Sequence, residues 1–468
     1  MKRLLKNVSP AVGFLLILLN LSPALAKSIN AEIASILSKR KINLEDLSLE
    51  IIKNDETIEH INADKLKSPA SVSKLLTTFA VLQKMPLGFR FKTQLFLDKS
   101  NIYLKGSGDP SFVSEKMWFL VNEFTRNAVS TVKDIIVDES LFDQIRYDQS
   151  RENARVDRAY DAPVGALSFN WNSVNIFVRP GDVGQKGLVF IDPVSDYYQL
   201  INSTTTSAGK PNKDLAVTIS NASKTITVSG EIRKDSAEIV IYKGIDDPAL
   251  WSGQQLKSFL QQRGIHVTGK IRKGEVPKTA KVVATSESKS LAEILADMNK
   301  FSNNFVAEML TKTLAAQEAS LYTSQSSQNA SLKKGVEIIQ NELQKSGLSS
   351  KDFLLVNPSG LTKENRLTAH ASNHILTAMK KDFRTVSLVL ESLPIAGLDG
   401  TLKKRMKNTA AQGWVRAKTG YLDTVVSLAG YAGQKNGDLY TFTFLYNGPR
   451  DEAIVREAFD NILLYLLK

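Results

Sequence analysis

The 468-residue chain contains no cysteine. That absence excludes disulfide bracing, a thiolate nucleophile, cysteine-ligated zinc and a cysteine-linked lipid anchor, so the fold must stand on its core. Histidine is scarce as well, with four residues at His60, His266, His370 and His374. Only the last pair has ligand spacing, and Ala371 stands where an HExxH site would hold glutamate. A metal there is disfavoured against a surface or capping helix. No GxSxG elbow is present, which leaves Ser-His-Asp hydrolysis unsupported. Neither GxGxxG after a strand nor GxxxxGKS occurs, so a phosphate loop is disfavoured too. No dense basic run interleaves with aromatics as nucleic acid would ask, and no unbroken apolar run reaches the roughly 20 residues of a spanning helix.

What is present is ordinary globular composition, 43% hydrophobic and 23% charged, enough for one large or two or three modest cores. The N-terminus carries Lys2, Arg3 and Lys6, then an apolar run from Gly13 to Leu19, then Ser22-Pro-Ala-Leu-Ala26 with small residues where a signal peptidase reads. Cleavage after Ala26 is expected in preference to a retained anchor, which places the mature protein in a bacterial periplasm or cell envelope. The formal charge is +12; removing three bases and no acids leaves +9 (12 − 3). Such an excess steers towards anionic surroundings or simply keeps the surface soluble.

Periodicity divides the chain. A short helix over 30–41 precedes a hairpin of Leu49–Lys53 and Thr57–Ile61 around Asn54-Asp55-Glu56, then an apolar helix from Ser71 to Met85, stopped by Pro86 and Gly88. From Phe91 to about Val276 many short alternating runs predict strands with few long helices, and Ser203–Ser207 reads as a loop. Long helices return over Leu291–Leu314 and Lys334–Lys345, flanking a Ser/Gln-rich connection at Ser320–Ser331. Strands Val425–Ala432 and Leu439–Tyr446 around Asn436-Gly437 and a closing helix Glu452–Leu467 complete it. That last helix packs on the sheet or, as the weaker alternative, touches a membrane peripherally. A helix-rich α/β unit is thus expected at 27–90 and 285–468, split by a β-rich insertion at 91–284 with two nested subdomains.

The apolar helix opens with Ser71-Val-Ser-Lys74. Residues at i and i+3 share a helical face, so the Ser71 hydroxyl and the Lys74 amine can meet. An amine held in apolar surroundings loses its preference for the charged form and can take a proton from serine. The rival reading is a lysine that snorkels out of a core helix capped by Ser71. SxxK alone does not choose, because it recurs at Ser38, Ser130, Ser207, Ser286 and Ser331. Two further elements follow in order: Ser302-Asn303-Asn304, and Lys418-Thr419-Gly420 just ahead of the C-terminal strands. The second can present a cation, a hydroxyl and an unobstructed backbone to a carboxylate.

With that ordered trio the sequence resembles the penicillin-recognising serine acyltransferases, defined by SxxK, SxN and KTG. The long gap between Ser71 and Ser302 resembles the class C low-molecular-mass penicillin-binding proteins, D-Ala-D-Ala carboxypeptidases/endopeptidases of the penicillin-binding protein 4 (DacB) type. Gly106-Ser-Gly-Asp-Pro110, Ala162-Pro-Val-Gly-Ala-Leu-Ser168, Asn357-Pro-Ser-Gly-Leu361 and Leu393-Pro-Ile-Ala-Gly-Leu-Asp-Gly-Thr-Leu402 agree. The resemblance implies an α/β (α+β) fold of the β-lactamase-like transpeptidase type, an antiparallel sheet flanked by helices. It implies Ser71 as nucleophile, Lys74 as base, Ser302 as proton relay and Asn304 on the substrate amide. Lys418 and Thr419 would hold the terminal carboxylate, with Gly420 beside them and the N–H groups of Ser71 and Tyr421 as oxyanion hole. Peptidoglycan stem peptides are the implied substrate and β-lactams the covalent inhibitors, with no metal, cofactor or nucleic acid; oligomeric state is left open. Asn303 replaces a common Asp, which should matter little if that side chain points away from substrate, and Tyr421 replaces a common small residue, so that its ring could narrow the pocket. A catalytically idle wall-binding scaffold and a β-lactamase are the alternatives; no ExxLN stretch supports the latter.

Overall fold

The computed structural model describes residues 30–151, 162–194, 196–322 and 330–468; the expected leader and most of the Ser/Gln-rich connection lie outside them. Both ends of the chain build one antiparallel sheet in the order Val415–Leu422, Val425–Gly433, Leu439–Asn447, Leu47–Lys53, Glu56–Ile61. In Leu439–Asn447, Phe442 and Phe444 alternate with Thr441 and Thr443, and all four are buried. Period two with no exposed side means that helices cover both faces. Ala31–Lys39 and Glu452–Leu466 cover one, with Phe444 against Phe459 at 5.2 Å. The closing helix thereby spends its apolar face on the sheet, burying Val455, Phe459, Ile462 and Leu463. No described helix is long and apolar enough to cross a membrane. On the other face lies Ala369–Lys381, where Asn373 and Ser372 meet Thr443 Oγ1 at 2.8 Å.

The helix Lys74–Lys84 sits deeper, among Asn304–Tyr322, Leu332–Lys345 and Ala369–Lys381, and is buried from Lys74 through Leu82. A helix that is apolar nearly all round is a central one. Its threonines find backbone acceptors, Thr77 on Pro358 O (3.2 Å) and Thr78 on Lys74 O (2.8 Å). The single helix expected over Leu291–Leu314 is two, Leu291–Lys300 and Asn304–Tyr322. The break falls on Ser302, whose φ of +55° is left-handed and ends helical hydrogen bonding.

Between these halves runs a region with its own core. A mixed five-stranded sheet (Ile271–Lys273, Ile135–Asp138, Asn101–Lys105, Lys92–Asp98, Lys281–Glu287) packs with helices Ser114–Thr125 and Pro248–Gln262. Two three-stranded sheets extend it. Ser203–Ser207 is not a loop: it ends the strand Gln199–Ser207, paired in parallel with Thr225–Arg233. Buried Thr204 and Thr206 accept the N–H groups of Gly187 (3.0 Å) and Gly181 (2.9 Å). A polar-looking run therefore serves as a strand, because β-branched side chains fit the pleat once their hydroxyls are satisfied.

Candidate active site

The turn carrying Ser71 is bolted to the sheet before the helix begins. Asn447, at the end of its strand, clasps Ser68 through both backbone groups, accepting from N at 2.6 Å and donating to O at 3.0 Å. Ser427 donates to Pro69 O at 2.6 Å. Ala70 then adopts φ +46°, a left-handed conformation that disfavours any Cβ-bearing residue. The helix starts as a 3₁₀ turn, Ala70–Ser73, and becomes α-helical at Lys74. Ser71 thus sits on a strained, clamped corner.

Lys74 is fully buried. Its Nζ lies 3.1 Å from Ser71 Oγ, 2.7 Å from Asn304 Oδ1 and 2.5 Å from Ser359 O. The last contact comes from Asn357-Pro-Ser-Gly-Leu361. Gly360 has φ +78°, and a Cβ there would lie 2.0 Å from Ala70 O, so only glycine lets this loop reach the amine. Asn365 and Asn357 fix the loop: Asn365 Oδ1 accepts from the N–H groups of Val356 (2.8 Å) and Asn357 (3.0 Å), and Asn365 Nδ2 donates to Ser73 Oγ (2.9 Å).

The left-handed Ser302 directs its hydroxyl to Lys418 Nζ at 2.9 Å, and Asn304 opens the next helix facing Lys74. Asn303 turns away and caps that helix, accepting Val306 N–H at 3.2 Å. An Asn at that position therefore does a cap's task.

Lys418-Thr419-Gly420 lies within the strand Val415–Leu422, at the edge of the sheet. Lys418 is fully buried, and its amine also donates to Thr419 O at 2.6 Å. Burial, and secondarily the neighbouring Lys74 charge, push Lys418 well below the ordinary lysine range. On the outer edge Ala417 N–H donates to Pro394 O (3.0 Å) and Val415 O accepts from Ala396 N (2.9 Å). Backbone groups along an antiparallel edge alternate with period two, so Thr419 and Tyr421 also aim their N–H and C=O off that edge. A Cβ on Gly420 would stand 2.6 Å from Pro69 O and 3.1 Å from Ser71 N, so the missing side chain brings this strand against the nucleophile's turn. The Tyr421 ring does not narrow the cleft. It lies against the C-terminal helix, with the Arg456 guanidinium 5.2 Å from its centroid, and its hydrogen bond to Glu452 raises its pKa.

Ser71, Lys74, Ser302, Asn304, Lys418, Thr419, Gly420 and the Tyr421 backbone thus gather around one amine or one edge. Asn357–Leu361, marked in the sequence only by its resemblance, is part of the site through Ser359 O, and Ser427, Asn447 and Asn365 support it from positions that no motif marks. The usable signal was a serine inside the apolar run 425–433 and an asparagine closing 439–447. The histidine pair does not converge: His370 Nδ1 meets Glu50 Oε1 (3.0 Å) and His374 Nε2 meets Ser346 O (2.7 Å).

A buried lysine on a serine at a helix start, a second serine–lysine pair opposite, and a sheet edge closing the cleft are the parts that serine acyl transfer needs. The chain belongs to the D-Ala-D-Ala carboxypeptidase 3 (S13) family, which matches residues 29–466. It is 29% identical over 463 residues to a D-alanyl-D-alanine carboxypeptidase of Actinomadura sp. (strain R39), spanning 92% of this chain and 84% of that protein. In fold it is similar to penicillin binding protein 4 (dacB) of Haemophilus influenzae, with a TM-score of 0.77 at 21% identity, covering 94% of this chain and all of that one. A complex of that protein with a β-lactam gives a TM-score of 0.72 at 19% identity, with the same coverage.

Proposed function

We propose that the protein cleaves D-alanyl-D-Xaa bonds of peptidoglycan stem peptides through an acyl-enzyme, as a carboxypeptidase, an endopeptidase or both, and that β-lactams acylate the same serine. Lys74 takes the Ser71 proton as Oγ attacks the penultimate D-Ala carbonyl, and the N–H groups of Ser71 and Tyr421 receive the oxyanion. Collapse expels the C-terminal residue as an amine, which takes its proton through Ser302. Water then hydrolyses the ester and restores Ser71. Asn304 binds the substrate amide, and Lys418 with Thr419 the terminal carboxylate. Two buried amines this close disfavour carrying two charges, and an arriving carboxylate holds the remaining proton on Lys418, leaving Lys74 free to act as base. The N-terminal pattern supports export and action in the bacterial envelope.

The observation that carries this reading is Lys74 Nζ lying 3.1 Å from Ser71 Oγ and 2.7 Å from Asn304 Oδ1 in one buried cluster. Intact-mass spectrometry after incubation with benzylpenicillin tests it: wild type gains one drug mass, and Ser71→Ala none. An adduct retained by the variant, or absent from wild type, ends the assignment, the second outcome in favour of an idle scaffold.

A further inference from the structure

The wall facing the Thr419 hydroxyl is a turn whose exposed tip is held by buried or backbone anchors. Residues 394–401 bridge two parts of the site. At one end, Pro394 and Ala396 hydrogen-bond the outer edge of the strand that carries Lys418. At the other, Asp399 forms an ion pair with Lys300, two residues before Ser302, while its Oδ1 accepts Ile395 N–H at 2.8 Å. Gly400 has φ +54°, and a Cβ there would stand 2.7 Å from Lys300 O, so the turn lies flat on the loop that presents Ser302. Leu402 is fully buried beneath it. Thr401, between Gly400 and Leu402, is exposed, and its Oγ1 lies 2.8 Å from Thr419 Oγ1.

Two hydroxyls that point at one another satisfy each other only in part, since each offers one donor and two acceptor lone pairs. A carboxylate oxygen placed against the pair, within reach of each hydroxyl, would accept from both, and hydrogen bonds to a charged acceptor are the stronger kind. Tyr421, the next residue on the same strand face, supplies no competing hydroxyl, because its ring lies on the C-terminal helix. We infer that Thr401 is a specificity-determining residue of this enzyme: with Thr419 it forms a paired-hydroxyl cradle for the free C-terminal carboxylate of the substrate. The inference rests on the proposed peptidase reading. It adds that part of the discrimination between a free acid and a capped end resides on the 399–402 turn.

The test uses equilibrium binding to the full chain carrying Ser71→Ala, so that no turnover intervenes. Two probes are compared, an N-acetylated peptide ending in D-Ala-D-Ala and the same peptide as its C-terminal carboxamide. Adding Thr401→Val is expected to weaken the free acid by roughly 10- to 100-fold, the worth of one hydrogen bond to a charged group. The carboxamide should keep its affinity, and Thr401→Ser, which restores the hydroxyl, should bind the acid like the parent. Equal weakening of both probes would mark a merely structural residue, and no weakening of either would remove Thr401 from the site; each overturns the inference. Failure of the Ser71→Ala protein to bind either peptide also overturns it, whereas penicillin labelling of wild type decides the peptidase reading separately.

Discussion

At the scale of single residues, the site depends on amines that water does not reach. Burying an amine is expensive, so an apolar side chain of similar volume recovers that desolvation cost, set against the donor that Asn304 Oδ1 and Ser359 O lose. Lys74→Met should therefore lower the second-order rate of penicillin acylation by about three orders of magnitude or more, while the melting temperature changes little. Stopped-flow acylation and a thermal melt on the same preparation check both halves. A variant that loses activity by unfolding would instead show a depressed melting temperature. The motif residues themselves were legible in the sequence because their chemistry depends on short, ordered spacings. Ser427 and Asn447 were not: each acts on a turn more than three hundred positions away, on Pro69 and Ser68, and no local pattern announces such a partner.

At the scale of elements, periodicity located the apolar helix, the terminal hairpins and the closing helix, since one buried face leaves a period in the sequence. It failed at Leu291–Leu314, where both halves are apolar and only the left-handed Ser302 parts them, and at the Thr-rich strand, where hydroxyls mimic loop composition. A joint between elements was equally hidden. Arg151, which follows the strand Ile135–Asp138 in the chain, forms a buried pair with Glu308 on the helix that opens with Asn304: Nε to Oε1 is 2.9 Å, and each side chain is 2% exposed. Glu308 Oε1 also lies 3.4 Å from Ser359 Oγ, in the loop whose carbonyl receives Lys74. Breaking one side of such a pair strands the other charge. Glu308→Ala should destabilise by about 3–5 kcal/mol, and Arg151→Met added to it should recover much of that loss. A denaturation cycle over wild type, both singles and the double measures the coupling; additive losses would contradict it.

At the scale of the whole molecule, the folding free energy must depend on pH wherever the folded chain shifts a carboxyl. Asp109, in Gly106-Ser-Gly-Asp-Pro110, is such a group. It is 2% exposed; its Oδ1 accepts from Ser111 N (2.8 Å) and Oγ (2.7 Å), whereas its Oδ2 is buried without a hydrogen-bond partner. Burial outweighs the Ser111 bonds and pushes its pKa up to about 6 from 3.8. Between those values the folded chain binds the proton more tightly than the unfolded one. Stability from this residue is therefore full below about pH 4, falls as pH rises through that window, and levels off above pH 6. A shift of that size corresponds to about 3 kcal/mol. Asp109→Asn has no proton to lose, so any offset from its amide is the same at every pH. The stability of wild type minus that of the variant, from urea midpoints between pH 4 and 7.5, should decline by about that amount and then stay flat. A pH-independent difference would mean that Asp109 is equally acidic in the folded and unfolded chains. The turn would then owe its shape to the Ser111 bonds alone rather than to a carboxyl kept neutral by burial.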